Sequence, residues 1–248
     1  MQPDGELELI GRIPTASNAT FLARVGDTQV IYKPSDGEKP LWDFPDGDLA
    51  QREVAAYLVS QASGWDIVPQ TWLRDGPLGA GMVQLWKEPD TEQAAVDIVF
   101  AAEIPDDGWR AVFEGVDEND KDVALIHEDS LALRRMAVFD VVVNNADRKG
   151  AHILEQVGGH RHGVDHGLTF HVEHKLRTVL WGWVDEPLNE DELAGVTRMR
   201  AAASSLELGA LLGERQLATF VGRCDRLLRD GRFPAPHGEM PAFPWPLF

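Results

Sequence analysis

The stretch NNADRKGAH packs Asn144, Asn145, Asp147, Arg148, Lys149 and His152 directly behind the apolar run Val141-Val142-Val143, and Asp165 opens a D-H-G turn shortly afterwards. Two carboxylates and an imidazole can hold a divalent cation and still leave one carboxylate to orient a hydroxyl. Phosphoryl transfer needs those parts: a metal to neutralise phosphate charge and an acceptor for the incoming hydroxyl's proton. Singly, each residue has a plainer explanation, because Asp after a helix caps or turns the chain and D-x-G commonly marks a turn. Their order argues for chemistry. A helix, a loop, a strand, a turn and a returning strand would carry Asp147, His152 and Asp165 to one place.

The elements that must position them follow from periodicity. ELELIGRI (6–13) and TFLARV (20–25) alternate as strands, and Gly26-Asp27 turns the chain into QVIYK (29–33). A helix is predicted over 49–62, with its apolar stripe at Ala50, Val54, Tyr57 and Leu58. A strand around TWLR, a DGPLGAG turn and a strand GMVQLW (81–86) complete a mostly β unit over 1–88. Residues 89–248 read as a mainly helical unit. It begins with a helical pattern in QAAVDIVFAA and a solvated loop VDENDKD. A helix within 128–145 follows, with Asp129 or Ser130 as N-cap. HILEQV and VDHGLTF are expected to pair as a hairpin across GGHRHG, before helices over 191–203 and 215–229. The tail GEMPAFPWPLF, with three prolines, is expected to lie extended against the body.

NNADRKGAH followed by VDHGLTF resembles the catalytic and metal-binding loops of the phosphatidylinositol 3- and 4-kinase superfamily, and more closely the small bacterial proteins grouped with it. The family pattern is D-R-x-x-x-N, then I-D-x-G-x-x-F. Asp147, Arg148, Asp165, Gly167 and Phe170 match it. His152 stands where the family has a metal-binding Asn, and Lys149 where it has a His. The resemblance implies a two-lobed α+β, protein-kinase-like fold, with a small β-rich N-lobe and a mostly helical C-lobe. It further implies ATP and a divalent metal as cofactors. The resemblance puts Mg²⁺ or Mn²⁺ ahead of Zn²⁺, whereas imidazole, a softer ligand than an amide oxygen, would suit Mn²⁺ or Zn²⁺ better than Mg²⁺.

In that frame Asp147 orients or deprotonates the acceptor, Lys149 sets a positive charge near the transferred group, and His152 with Asp165 holds metal. Arg148 and Asp140 brace the loop. Lys33, ending its strand, becomes the lysine on the nucleotide phosphates. Glu53, at the edge of the helix stripe, is placed to pair with it. PTASNATF is not glycine-rich, yet Thr15, Ser17 and Asn18 offer hydroxyl, amide and backbone donors to phosphate oxygens, much as the superfamily's serine-bearing loop does. Gln84, Leu85 and Trp86, joining the two lobes, would lay backbone groups along the adenine edge. His160, His162, His166, His171 and His174 invite a zinc site. However, H-x-H in a glycine turn ordinarily faces solvent, and His171 and His174 on a strand would point apart. His166, beside Asp165, would make nucleotide binding pH-dependent.

Composition limits the partners. Lys and Arg total 23 against 41 Asp and Glu, a net charge of −18. That surface repels nucleic acid and anionic lipid, and no basic block offsets it. A lone cysteine excludes an intramolecular disulfide. No apolar run approaches the ~20 residues of a membrane span, and MQPDGELELIGR lacks the pattern of a secretory signal. A cytoplasmic protein is expected, with no nucleic-acid partner and no stable membrane association. The reading is therefore a kinase acting on an unknown hydroxyl-bearing substrate, a protein or soluble small molecule rather than a membrane lipid. The alternative is a non-catalytic, nucleotide-binding pseudokinase acting through a partner, and a metal-dependent hydrolase ranks behind both.

Overall fold

A computed structural model describes residues 2–14, 18–38, 41, 43–44, 49–238 and 241–248. In the N-terminal unit, strands β1 (Leu7–Arg12), β2 (Phe21–Val25), β3 (Thr28–Pro34), β4 (Thr71–Gly76) and β5 (Gly79–Leu85) form an antiparallel sheet in the order β1-β2-β3-β5-β4. Successive side chains on a strand point to opposite faces. Val30 and Tyr32 of β3 therefore enter a core with Leu7, Ala23, Val25, Trp72 and Val83, and Lys33 takes the other face. Helix α1 (Leu49–Ser63) lies on that face, packing Ala50 and Val54 against Met82 of β5. Ala55, Ala56 and Val59 face the C-terminal unit and join its core. Helix α1 is thus buried more widely than the predicted stripe, and Tyr57 and Leu58 are only half-buried.

The second unit is organised around helix α2 (Leu131–Val143). Ser130 caps it by accepting from Leu133 N at 3.2 Å, and Asn144 ends it in the left-handed conformation, φ 56°. Leu133, Met136, Val138, Phe139 and Val142 are buried on several faces of this helix, so its mid-section is surrounded.

The unit is not as helical as the sequence suggests. QAAVDIVFAA contributes β6 (Val96–Phe100), which pairs with β8 (Asp122–Glu128), itself paired with β7 (Trp109–Val116), in a three-stranded antiparallel sheet ordered β6-β8-β7. A short apolar run fits helix or strand equally, and the β-branched content of VDIVF together with pairing to β8 decides for strand. VDENDKD is the β7–β8 turn, where Asp117 Oδ1 accepts from the amides of Asn119 and Lys121.

The hairpin also differs from expectation. It consists of β9 (Ile153–Glu155) and β10 (Arg161–Gly163), and VDHGLTF leaves the sheet. Asp165 and Phe170 have φ of 59° and 57°, which no strand accommodates. Helices α3 (Glu190–Ala202) and α5 (Glu214–Asp230) occur as predicted to within a residue at most ends, and a short α4 (Leu206–Leu211) lies between them. The described part of the tail lies against the body: Ala242 O accepts from Thr178 N and Trp181 Nε1, and Leu247 O from Gly150 N. Among the described residues no helix is long and apolar enough to cross a membrane.

Candidate functional site

The loop after α2 is held by a buried ion pair. Asp140 and Arg148 are both fully buried, and the guanidinium donates from Nε at 2.9 Å and from Nη2 at 2.9 Å to the carboxylate. Asn145 Nδ2 and Thr178 Oγ1 donate to the same carboxylate. The remaining donors of Arg148 reach His152 O (3.1 Å), Val164 O (3.4 Å) and His166 Nε2 (2.7 Å). One guanidinium thus ties α2 to both ends of the β9–β10 hairpin, which His152 and Asp165 flank. A side chain at Gly163 would bring its Cβ to 2.9 Å from that guanidinium. Arg148 and Asp140 brace the loop, as the sequence suggests.

Lys33 joins the two units. Its ammonium donates to Glu53 Oε1 at 2.8 Å and ion-pairs with Asp165 Oδ1. The other oxygen of Glu53 accepts from His166 N at 2.9 Å, so this buried carboxylate clamps β3 and the D-H-G turn onto α1. Burial disfavours the Lys33 ammonium, but Asp165 and Glu53 outweigh it and raise its pKa above the ordinary lysine value. Reciprocally, the Lys33 charge holds the Asp165 carboxyl well below the usual carboxylate range.

His152 Nδ1 lies 2.8 Å from Asp147 O. A carbonyl only accepts, so Nδ1 carries the proton and Nε2 presents its lone pair. Burial holds the ring below its usual pKa despite the opposing charge of Asp165, so the neutral form persists. Nε2 faces Asp165 Oδ2 at 3.4 Å. Two acceptors set face to face suit a shared cation, and these two side chains fit a divalent metal. Asp147 does not close a three-ligand set with them. Its carboxylate turns to Lys149 Nζ at 3.2 Å, and both line the same cleft.

The cleft encloses about 290 Å³. Lys33, Glu53, Asp147, Lys149, His152 and Asp165 are among its lining residues. So is Asn18, whereas Thr15 and Ser17 lie outside the described residues. Glu38, which the sequence reading overlooked, also lines the cleft and accepts from Leu49 N and Ala50 N at the start of α1. An acid in a polar, proline-bearing loop carries no periodic signal that would have revealed it. Met82, Leu49, Leu41 and Leu168 supply apolar wall.

Gln84, Leu85 and Trp86 do not line this cleft. Leu85 N donates to Gln70 O and Trp86 N to Gln29 O, so those amides are committed to backbone partners rather than free for an adenine edge. Gln84 is buried, its amide donating to Thr71 Oγ1. His166 is not a surface switch. It is fully buried, accepts from Arg148, and burial together with that neighbouring charge keeps it neutral. His171 and His174 sit in a loop rather than on a strand, against Phe44 and His237 respectively.

No protein-family model matches the chain. The chain is 47% identical to "Protein Rv2133c" of Mycobacterium tuberculosis over 262 aligned positions, spanning 99% of this chain and 93% of that protein. Among solved structures it is similar to the Helicobacter pylori proinflammatory kinase CtkA, at 12% identity and a TM-score of 0.48, over 93% of this chain and 94% of that one.

Proposed function

We propose that the chain, which belongs to the family of Mycobacterium tuberculosis protein Rv2133c, is an ATP- and divalent-metal-dependent phosphotransferase that moves the γ-phosphoryl group to a hydroxyl acceptor. The observation that carries this reading is Lys33, held at once by Glu53 of α1 and Asp165 beyond β10, over a cleft that also presents Asp147 and His152. The chain is then a two-lobed, protein-kinase-like molecule whose lobes meet at that lysine.

Cleft charge supports the cofactor pair. Among the described lining residues, the carboxylates of Glu38, Glu53, Asp147 and Asp165 face only two lysines, Lys33 and Lys149. A polyphosphate enters such a cleft only with a cation to offset it. His152 Nε2 and Asp165 would hold that metal, which when bound neutralises phosphate charge and orients the transferred group. The Asp165 carboxylate suits Mg²⁺ or Mn²⁺, and the His152 nitrogen also admits Zn²⁺.

Lys33 contacts the nucleotide phosphates, positioned by Glu53. The acceptor oxygen attacks the γ-phosphorus, the bond to the β–γ bridging oxygen breaks, and ADP leaves. Asp147 takes the hydroxyl proton, and Lys149 stands beside the transferred group. With a net charge of −18, the acceptor is a protein or soluble small molecule rather than a lipid in an acidic bilayer, and the protein acts in the cytoplasm.

The test is turnover of γ-labelled ATP with Mg²⁺, Mn²⁺ or Zn²⁺, with and without cell extract as acceptor, comparing the native chain with Asp147→Ala. Label transferred to an acceptor by the native chain alone supports the kinase. Metal-dependent ATP binding without turnover under every condition identifies a pseudokinase. Free phosphate without a labelled product identifies a hydrolase.

A further inference from the structure

Outside the cleft, the loop joining α1 to β4 meets the β9–β10 hairpin at a cluster of metal-binding side chains. One ligand atom from each of Asp66, His160 and His162 lies within 4.8 Å of the other two. We propose that Asp66, His160 and His162 form a second metal site, structural rather than catalytic, that takes Zn²⁺ or a similar borderline transition-metal ion.

The spacing supports this. His160 Nε2 and His162 Nδ1 are 3.3 Å apart. Two imidazole nitrogens bound tetrahedrally at Zn–N distances of about 2.0–2.1 Å are separated by about 3.3–3.4 Å. The rings meet edge to face with centroids 4.3 Å apart, so the two nitrogens converge without the rings colliding. Asp66 supplies a carboxylate from the facing loop, where its left-handed backbone, φ 53°, sets the turn. Two imidazoles and a carboxylate are a donor set that zinc accepts, with the fourth position left to water.

His162 is buried and His160 half-buried, so the two rings are held in place by packing. His160 Nε2 also lies 3.0 Å from Asp66 O and His162 Nδ1 lies 3.3 Å from Ile67 O. Metal binding requires both nitrogens to be unprotonated, with the proton of each neutral ring on its other nitrogen.

The position gives the site a purpose. Asp66 follows α1, which carries Glu53, whereas His160 and His162 belong to the hairpin flanked by His152 and Asp165. Gly163 N already donates to Ile67 O at 2.8 Å across this seam. A metal here clips the two units together at the side of the cleft. H-x-H in a glycine turn is expected to face solvent, whereas the Asp66 loop packs against these histidines, and nothing in the spacing of H-x-H foretells a ligand so distant in sequence.

The metal-stripped chain is titrated with Co²⁺, following visible d–d absorption, and with Zn²⁺, following the melting temperature. The site predicts one tetrahedral Co²⁺ per chain, displaced by Zn²⁺, and a Zn²⁺-dependent rise in melting temperature. The tetrahedral Co²⁺ signal is lost in His160→Gln, and in an Asp165→Ala background, where the cleft pair is gone, adding His160→Gln lowers Zn²⁺ affinity more than about 100-fold, beyond the cost of an outer-shell change. Both signals survive in Asp165→Ala, which removes the cleft's carboxylate ligand and its ion pair with Lys33 but leaves Asp66, His160 and His162 in place. His160 is half-buried, so its variant carries the test if the buried His162→Gln misfolds. No tetrahedral Co²⁺ signal in the native chain overturns the proposal, as does a signal that persists in His160→Gln or disappears only in Asp165→Ala.

Discussion

Asp147 and Asp165 carry the same functional group, and their neighbours assign them different work. Asp165 is bound to Lys33 and faces the lone pair of His152, so it remains ionised and available to a cation. Among the described residues the Asp147 carboxylate ion-pairs with Lys149, both partners partly open to solvent, a pair of a kind that contributes at most about 1 kcal/mol. Asp147→Asn should therefore leave the melting temperature nearly unchanged while lowering phosphoryl turnover by about 10²–10⁴-fold, the usual yield of a positioned general base. Initial rates and a thermal melt on one preparation check both halves, and a variant that turns over normally removes Asp147 from the mechanism.

At the scale of elements, the loop after α2 depends on Arg148 far more than its surface-like sequence implies. Arg148→Ala leaves Asp140 charged, buried and short of its main partner, a loss of about 3–5 kcal/mol. For a chain of this size each kcal/mol is roughly 2–4 °C in melting temperature, so calorimetry should show a drop on the order of 10 °C. His127 of β8 provides a second prediction. It is fully buried, lies 2.9 Å from Glu128 O through Nδ1, and accepts from Gly182 N at 3.0 Å through Nε2.

Burial lowers the His127 pKa to about 4, against an unfolded value of about 6.5. Between those values the unfolded chain binds the extra proton. Stability is therefore complete above about pH 6.5 and falls as the pH drops toward 4. Urea midpoints measured from pH 7.5 down to 4.5 should decline less steeply in His127→Gln than in the native chain. Parallel declines would remove His127 as a cause.

For the whole molecule, the net charge of −18 sets long-range behaviour. At physiological salt the chain should neither co-sediment with vesicles rich in anionic lipid nor be retained by immobilised DNA. Retention that weakens steeply with salt would reveal a basic patch that the sequence does not display. Under the proposed function, the cleft would accommodate a phosphate only together with a cation, because among its described lining residues four carboxylates outnumber Lys33 and Lys149.

The sequence by itself determined the N-terminal sheet, α1, α2 with its Ser130 cap, and the long helices α3 and α5. Period-two alternation, period-3.6 stripes and capping residues are local, so each is legible within a short window. It also marked Lys33, Glu53, Asp147, His152 and Asp165, which the structure gathers around one cleft. Tertiary contacts alone decided the rest. VDIVF became β6 because β8 was there to pair with it, and the amides of Leu85 and Trp86 were committed to the carbonyls of Gln70 and Gln29 respectively. Glu38 came to the mouth of α1, and Asp66 met His160 and His162 across the seam. Each of these outcomes depends on a partner distant in sequence, and side-chain period carries no information about which partner that is.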